Sequence, residues 1–108
     1  MSVIDKSKTL VYESGKKLLQ LGLVAGTWGN ISARVDENSM IITPSGRDYE
    51  EVKPEEMVLV RLDDLSYEGS VKPSSELKLH AEIYKTRKNI NAVIHTHQMN
   101  ASTIAAAR

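Results

Sequence analysis

Of the three histidines in this 108-residue chain, two stand as His95-Thr-His97. On a strand, residues i and i+2 share a face roughly 6.5–7 Å apart. Two imidazoles so placed can converge on one ion, and neutral imidazole is a common Zn²⁺ ligand. The pair also reads as two ordinary polar strand residues, and two ligands do not make a site. Glu76 offers a third group. It falls in the first turn of a predicted helix, where the dipole favours a carboxylate; beside a metal it could ligate, or act as a base once substrate arrives. His80, four residues on, lies on the same helical face and reads as a supporting or core histidine rather than a ligand.

A second set of residues suits an anion. Ser74 and Ser75 precede or open that helix, whose free N–H groups and positive dipole end can hold a phosphate. Gly29-Asn30 and Ser45-Gly46 sit in loops beside strands, where glycine lets the backbone approach a ligand closely. Each piece alone also reads as a turn or a cap; together they bracket the His95–His97 strand. Their donors are neutral, as is the chain. Arg47, the nearest cation, reads as a solvated loop side chain.

The elements that must position these groups follow from periodicity. Lys6–Leu21 is a predicted helix with Leu10, Val11, Leu18 and Leu21 on its apolar side and Gly22 as its stop. After a turn cluster at Gly26–Asn30, strict alternation sets Ile31, Ala33 and Val35 against Ser32, Arg34 and Asp36, a half-buried strand. A hairpin-length turn over Asp36–Ser39 leads to a strand at Met40–Thr43, and Pro44–Asp48 is a loop. Met57–Leu62 is apolar on both faces and so predicts a central strand, followed by a short piece at Leu65–Tyr67. A loop over Gly69–Pro73 precedes the helix opening at Ser74/Ser75. Asn89–Asn91 ends it, Ala92–His97 is a strand, and the alanine-rich Met99–Arg108 predicts the start of another helix. The order is that of a mixed or mostly antiparallel sheet with helices.

Composition narrows the function classes. Fourteen Lys and Arg balance fourteen Asp and Glu, which removes the basic footprint of a nucleic-acid binder. The longest unbroken apolar run is four residues, as at Met57–Val60, far short of the roughly 18 needed to span a bilayer. The N-terminus lacks the basic-then-apolar order of a secretory signal. With no cysteine, disulfides and thiolate zinc sites are excluded, and a reducing cytoplasm is the expected location. Phe is absent, and one Trp and four Tyr are a thin supply of large side chains for an independent core.

Five stretches, in order, resemble the class II aldolase/adducin family: Gly26-Thr-Trp-Gly-Asn-Ile-Ser32, Ile42-Thr-Pro-Ser-Gly46, Pro73-Ser-Ser-Glu76, His80-Ala-Glu-Ile-Tyr84 and Ala92-Val-Ile-His-Thr-His97. The resemblance implies a three-layer α/β/α fold with a mixed, largely antiparallel sheet, of which residues 1–108 form the N-terminal part of one domain. It makes His95 and His97 ligands of Zn²⁺ and Glu76 the catalytic acid/base that also reaches the metal. It assigns the substrate phosphate to Gly29, Asn30, Ser45, Gly46, Ser74 and Ser75. The implied reaction is cleavage of a ketose 1-phosphate such as L-fuculose 1-phosphate to dihydroxyacetone phosphate and an aldehyde.

Family members add a third histidine ligand, and usually a tyrosine proton donor, from sequence well beyond the His-x-His strand. They usually form cyclic homotetramers with sites at subunit borders. The resemblance therefore predicts a 108-residue chain that is inactive and marginally stable alone. Two other activities and one non-catalytic role share the motifs. Sugar-phosphate 4-epimerases typically carry Asp where this chain has Glu76, and a thio-sugar phosphate dehydratase carries Glu. Adducin-type scaffold domains keep the fold without the catalytic site, and the retention of Glu76, His95 and His97 argues against them.

Overall fold

The computed structural model describes residues 3–21, 30–46, 51–98 and 101–107, giving the backbone alone from residue 96 onward. The order is α1 (Val3–Gln20), β1 (Asn30–Asp36), β2 (Ser39–Ile42), a 3₁₀ turn (Pro54–Glu56), β3 (Val58–Arg61), α2 (Leu77–Thr86), β4 (Ala92–Gln98) and β5 (Ala101–Ala107). The strands form one sheet in the order β3-β2-β1-β4-β5, and every pairing in it is antiparallel.

Two apolar clusters occupy opposite faces of this sheet, which makes three layers. On one face Val11 of α1 packs with Ile31, Ala33, Ile41, Val52 and Met57. On the other, Ala81 and Tyr84 of α2 pack with Met40, Ile42, Val58, Val60, Leu62 and Val93. The expected half-buried first strand is thus covered on both sides: Ser32, on the side expected to be polar and outward, is 0% exposed.

Four further expectations are corrected. The buried line of α1 runs through Ser7, Val11 and Gly15, spaced by four, while Leu10 and Leu21 are exposed. Small residues on that line let the helix lie close to the sheet, which selects it over the bulkier leucines. The strand at Met57–Leu62 lies at the sheet edge and is not central. Its continuous apolar run reflects burial of both faces, with Met57 and Leu59 toward α1 and Val58, Val60 and Leu62 toward α2. The second helix begins at Leu77 with Glu76 as its N-cap, so Glu76 precedes the first turn. Finally, Ala101–Ala107 is a strand paired along its length with β4. The helical preference of alanine is worth only tenths of a kcal/mol per residue over most alternatives, and ladder bonds to β4 outweigh it.

Candidate functional site

The register brings the predicted site residues together. Asn30 opens β1 and stands directly opposite His95 of β4. Ser32 stands opposite Ile42 of β2, so the chain leaves β2 beside the start of β1, where Thr43 N–H donates to Ile31 O at 3.0 Å. Pro44 then bridges to Pro73, Ser45 N–H donates to Lys72 O at 2.8 Å, and Ser74 N–H donates to Thr43 O at 2.9 Å. These bonds tie the Ser45-Gly46 loop to the segment that starts α2. One end of the sheet therefore carries Asn30, Ser45, Gly46, Ser74, Ser75, Glu76, His95 and the backbone of His97.

Each group has its own local reason for being there. Gly46 holds φ at +64°, a left-handed turn that side-chain-bearing residues resist; with Ser45 it is exposed. Ser74 is buried, and its Oγ accepts the Glu76 N–H at 3.1 Å, which satisfies one of the free donors at the helix start. Ser75 is exposed and Glu76 half-buried. His95 is 6% exposed. His97 lies two residues further along the same strand. Gly29 and Arg47 lie outside the described residues. Among the described residues no cluster of three or more His, Asp or Glu side chains is placed to hold a metal ion; the side chain of His97 is not among those described.

Behind this rim lies a buried polar chain that the sequence reading missed. Tyr84 OH is 2.7 Å from Ser32 Oγ, and Ser32 Oγ is 2.6 Å from His80 Nδ1. His80 Nε2 bonds in turn to Asn30 Oδ1. His80 and Tyr84 are 0% exposed. Burial first, and the neighbouring His95 second, push the His80 imidazole down to about 4, so it is neutral at pH 7. Burial likewise pushes the Tyr84 phenol up to about 12.

These protonation states fix the direction of every bond. Asn30 Oδ1 can only accept, so His80 carries its hydrogen on Nε2 and donates it there. Nδ1 must then accept from the Ser32 hydroxyl, which accepts from Tyr84 O–H.

Two residues further along β1 than Ser32, Arg34 closes the other end of α2. Its Nε donates to Ile90 O at 2.9 Å, and its Nη2 to Tyr84 O at 2.9 Å and Arg87 O at 3.2 Å. The guanidinium lies 4.9 Å from the Tyr84 ring centroid. Asn30, Ser32 and Arg34, alternate residues of one strand, thus dock successive turns of α2. The signal was available in the sequence: a polar alternation on β1 and a His80–Tyr84 pair spaced by four on α2 can satisfy each other if they face.

Comparison with known proteins agrees with this architecture. Residues 9–108 match the family described as the class II aldolase and adducin N-terminal domain. The 5-deoxy-D-ribulose 1-phosphate aldolase of Bacillus thuringiensis serovar kurstaki is 44% identical over 105 residues, which cover 96% of this chain and 49% of that protein. Among solved structures, an L-fuculose 1-phosphate aldolase superposes with a TM-score of 0.79 at 38% identity, covering 87% of this chain and 45% of that one. The L-fuculose-1-phosphate aldolase of Thermus thermophilus gives 0.67 at 30% identity, covering 84% and 46%. The chain thus spans about half the length of the relatives it matches. A match over all but the first eight residues makes this chain a member of the class II aldolase/adducin family.

Proposed function

We propose that this chain is the N-terminal part of a single class II aldolase domain. The whole protein is then a zinc-dependent lyase that cleaves a ketose 1-phosphate to dihydroxyacetone phosphate and an aldehyde. The observation that carries the reading is the convergence of the Asn30 end of β1, the Ser45-Gly46 loop, a helix start and the His95 strand at one sheet end, in a chain 44% identical to a sugar-phosphate aldolase. L-fuculose 1-phosphate and 5-deoxy-D-ribulose 1-phosphate are the substrates to try first. A cytoplasmic homotetramer without nucleic-acid or membrane partners completes the proposal. No helix among the described residues is long and apolar enough to cross a membrane.

Two imidazoles and a carboxylate match the nitrogen and oxygen donors that zinc takes, and the nearly complete burial of His95 suits an ion screened from bulk water. His95, His97 and Glu76 would hold it. When bound, zinc would supply a Lewis acid for the ketose carbonyl and for the negative charge that develops as the carbon–carbon bond breaks. Asn30, Ser45, Ser74 and Ser75, with the backbone at Gly29 and Gly46, hold the phosphate through neutral donors and so fix the distance from phosphate to reacting carbon. In the cleavage direction the C4 hydroxyl passes its proton to the tyrosine expected beyond the His-x-His strand as it becomes the aldehyde and the C3–C4 bond breaks. With substrate bound, the Glu76 carboxyl in its acid form delivers a proton to C3, which becomes the hydroxymethyl group of dihydroxyacetone phosphate. In the reverse direction it removes that proton.

The test is to incubate the full-length protein with each ketose 1-phosphate and couple the product to a dihydroxyacetone phosphate assay. Triose phosphate should appear and should cease after chelation. Absence of triose phosphate, with loss of water from a methylthio-sugar phosphate or epimerisation at C4 instead, would replace the aldolase reading by the dehydratase or the epimerase.

A further inference from the structure

The phosphate role proposed for Asn30 raises a question about its side chain. A carboxamide has an accepting end and a donating end, set on opposite sides of one rotatable bond. A phosphate accepts hydrogen bonds, so only the NH₂ end serves it. Turned over, the same side chain would set an oxygen lone pair against the anion.

The structure contains a device that chooses between the two. Asn30 is 3% exposed, and its Oδ1 is taken by His80 Nε2. His80 can make that choice only as the tautomer with hydrogen on Nε2, and Ser32 Oγ, at 2.6 Å from Nδ1, holds it there by donating to Nδ1. Ser32 in turn has its acceptor side occupied by Tyr84 OH at 2.7 Å, which leaves its own hydrogen for His80. The order of donation runs Tyr84 to Ser32 to His80 to Asn30, away from the helix interior and toward the proposed phosphate.

We propose that His80 is a positioning residue that holds the Asn30 carboxamide with its NH₂ toward the substrate phosphate, and that Ser32 and Tyr84 hold His80 in the tautomer this requires. The inference rests on the reading of Asn30 as a phosphate donor and extends it inward by three residues. None of the three need touch substrate.

The experiment uses the full-length metal-loaded protein, with dihydroxyacetone phosphate and inorganic phosphate as probes in calorimetry and, separately, KM and kcat for the ketose 1-phosphate. Asn30→Ala should weaken both probes about tenfold, the scale of one hydrogen bond to a charged group. His80→Asn keeps an amide near Nδ1 but removes the Nε2 donor. It should weaken both probes about as much, and raise KM more than it lowers kcat. His80→Gln places an amide N–H where Nε2–H was and should restore affinity to within about twofold or threefold. Asn30→Ala combined with His80→Asn should bind no worse than Asn30→Ala alone.

If Asn30→Ala leaves both affinities unchanged, the phosphate role of Asn30 is wrong and this proposal falls with it. If Asn30→Ala weakens binding but His80→Asn does not, or if His80→Gln is as weak as His80→Asn, the phosphate role stands and the positioning role is wrong. Should His80→Asn fail to fold, the wild-type protein still decides. Nitrogen NMR of the His80 ring must show hydrogen on Nε2 with Nδ1 accepting, and the reverse tautomer overturns the proposal.

Discussion

Replacing Arg34 tests the docking of α2 without touching the proposed site. Its guanidinium makes two half-buried bonds, to Ile90 O and Tyr84 O at 2.9 Å each, and an exposed one to Arg87 O at 3.2 Å. Bonds from a charged donor contribute about 1.5–3 kcal/mol each. The cation also faces the negative end of α2, an effect of about 0.3–1 kcal/mol, and the stack on Tyr84 adds about 0.5–1 kcal/mol. Water can replace the exposed bond and part of the others, so the sum is an upper bound. We expect Arg34→Ala to destabilise by about 3 kcal/mol, two charged bonds at the lower end of that range. Arg34→Lys keeps the charge but loses the planar fork and the stack, and should cost about 1–2 kcal/mol. Urea unfolding of the full-length protein at one fixed protein concentration measures both, since association would otherwise shift the midpoint. Hydrogen exchange at the amides of the last turn of α2 localises the loss. An Arg34→Ala variant within about 0.5 kcal/mol of wild type, the level of an ordinary surface change, would refute the clamp. So would an Arg34→Lys variant as stable as wild type.

Three further outcomes are expected. His80 titrates at 6.5 when unfolded and about 4 when folded, so between those values the unfolded chain binds more protons and stability rises with pH. The contribution is complete above pH 6.5 and lost as pH falls toward 4, about 3 kcal/mol in all; urea midpoints of metal-free wild type against His80→Gln across that window read the difference, and parallel curves would contradict it. Glu76→Gln should lower turnover by at least about a hundredfold while leaving dihydroxyacetone phosphate affinity within a few-fold; equal losses of both would demote Glu76 to a structural part. His95→Ala combined with His97→Ala should abolish zinc retention after gel filtration, measured by elemental analysis, and unchanged zinc content would show that the ligands lie elsewhere.

Much of the layout could be read from the chain because its signals were local. The alternation in Ile31–Val35 placed β1, the turn chemistry of Asp36–Ser39 placed the hairpin, and Pro73 with the two serines placed the start of α2 to within three residues. What escaped was set by tertiary partners. Leu10 and Leu21 are as apolar as Val11, but only the sheet decides which line of α1 is covered. The strand at Val58–Arg61 looked central because both its faces are buried, and apolar character records faces rather than neighbours along the sheet. Ala101–Ala107 took the strand its partner β4 offered over the helix its composition favours. In the candidate site, the motifs brought out Asn30, Ser74, Glu76 and His95. From the sequence Ser32 and Arg34 read as solvent-facing, since a polar residue in an alternating strand carries no mark of the helix that will cover it.

That covering has a consequence for folding fidelity. A sheet with two greasy faces tolerates sliding, because one apolar side chain can stand in for another. Here β1 carries Asn30, Ser32 and Arg34 on the face toward α2 and Ile31 and Ala33 on the face toward α1. A slip of one residue would strand His80 and Tyr84 against aliphatic groups and push a cation and a carboxamide into the layer beneath α1, leaving several buried polar groups unsatisfied. A slip of two would restore the faces but set Arg34 beside His80 and leave the last carbonyls of α2 bare. The same three side chains therefore work as a key that one alignment alone can turn, and they hold that alignment before any substrate is present.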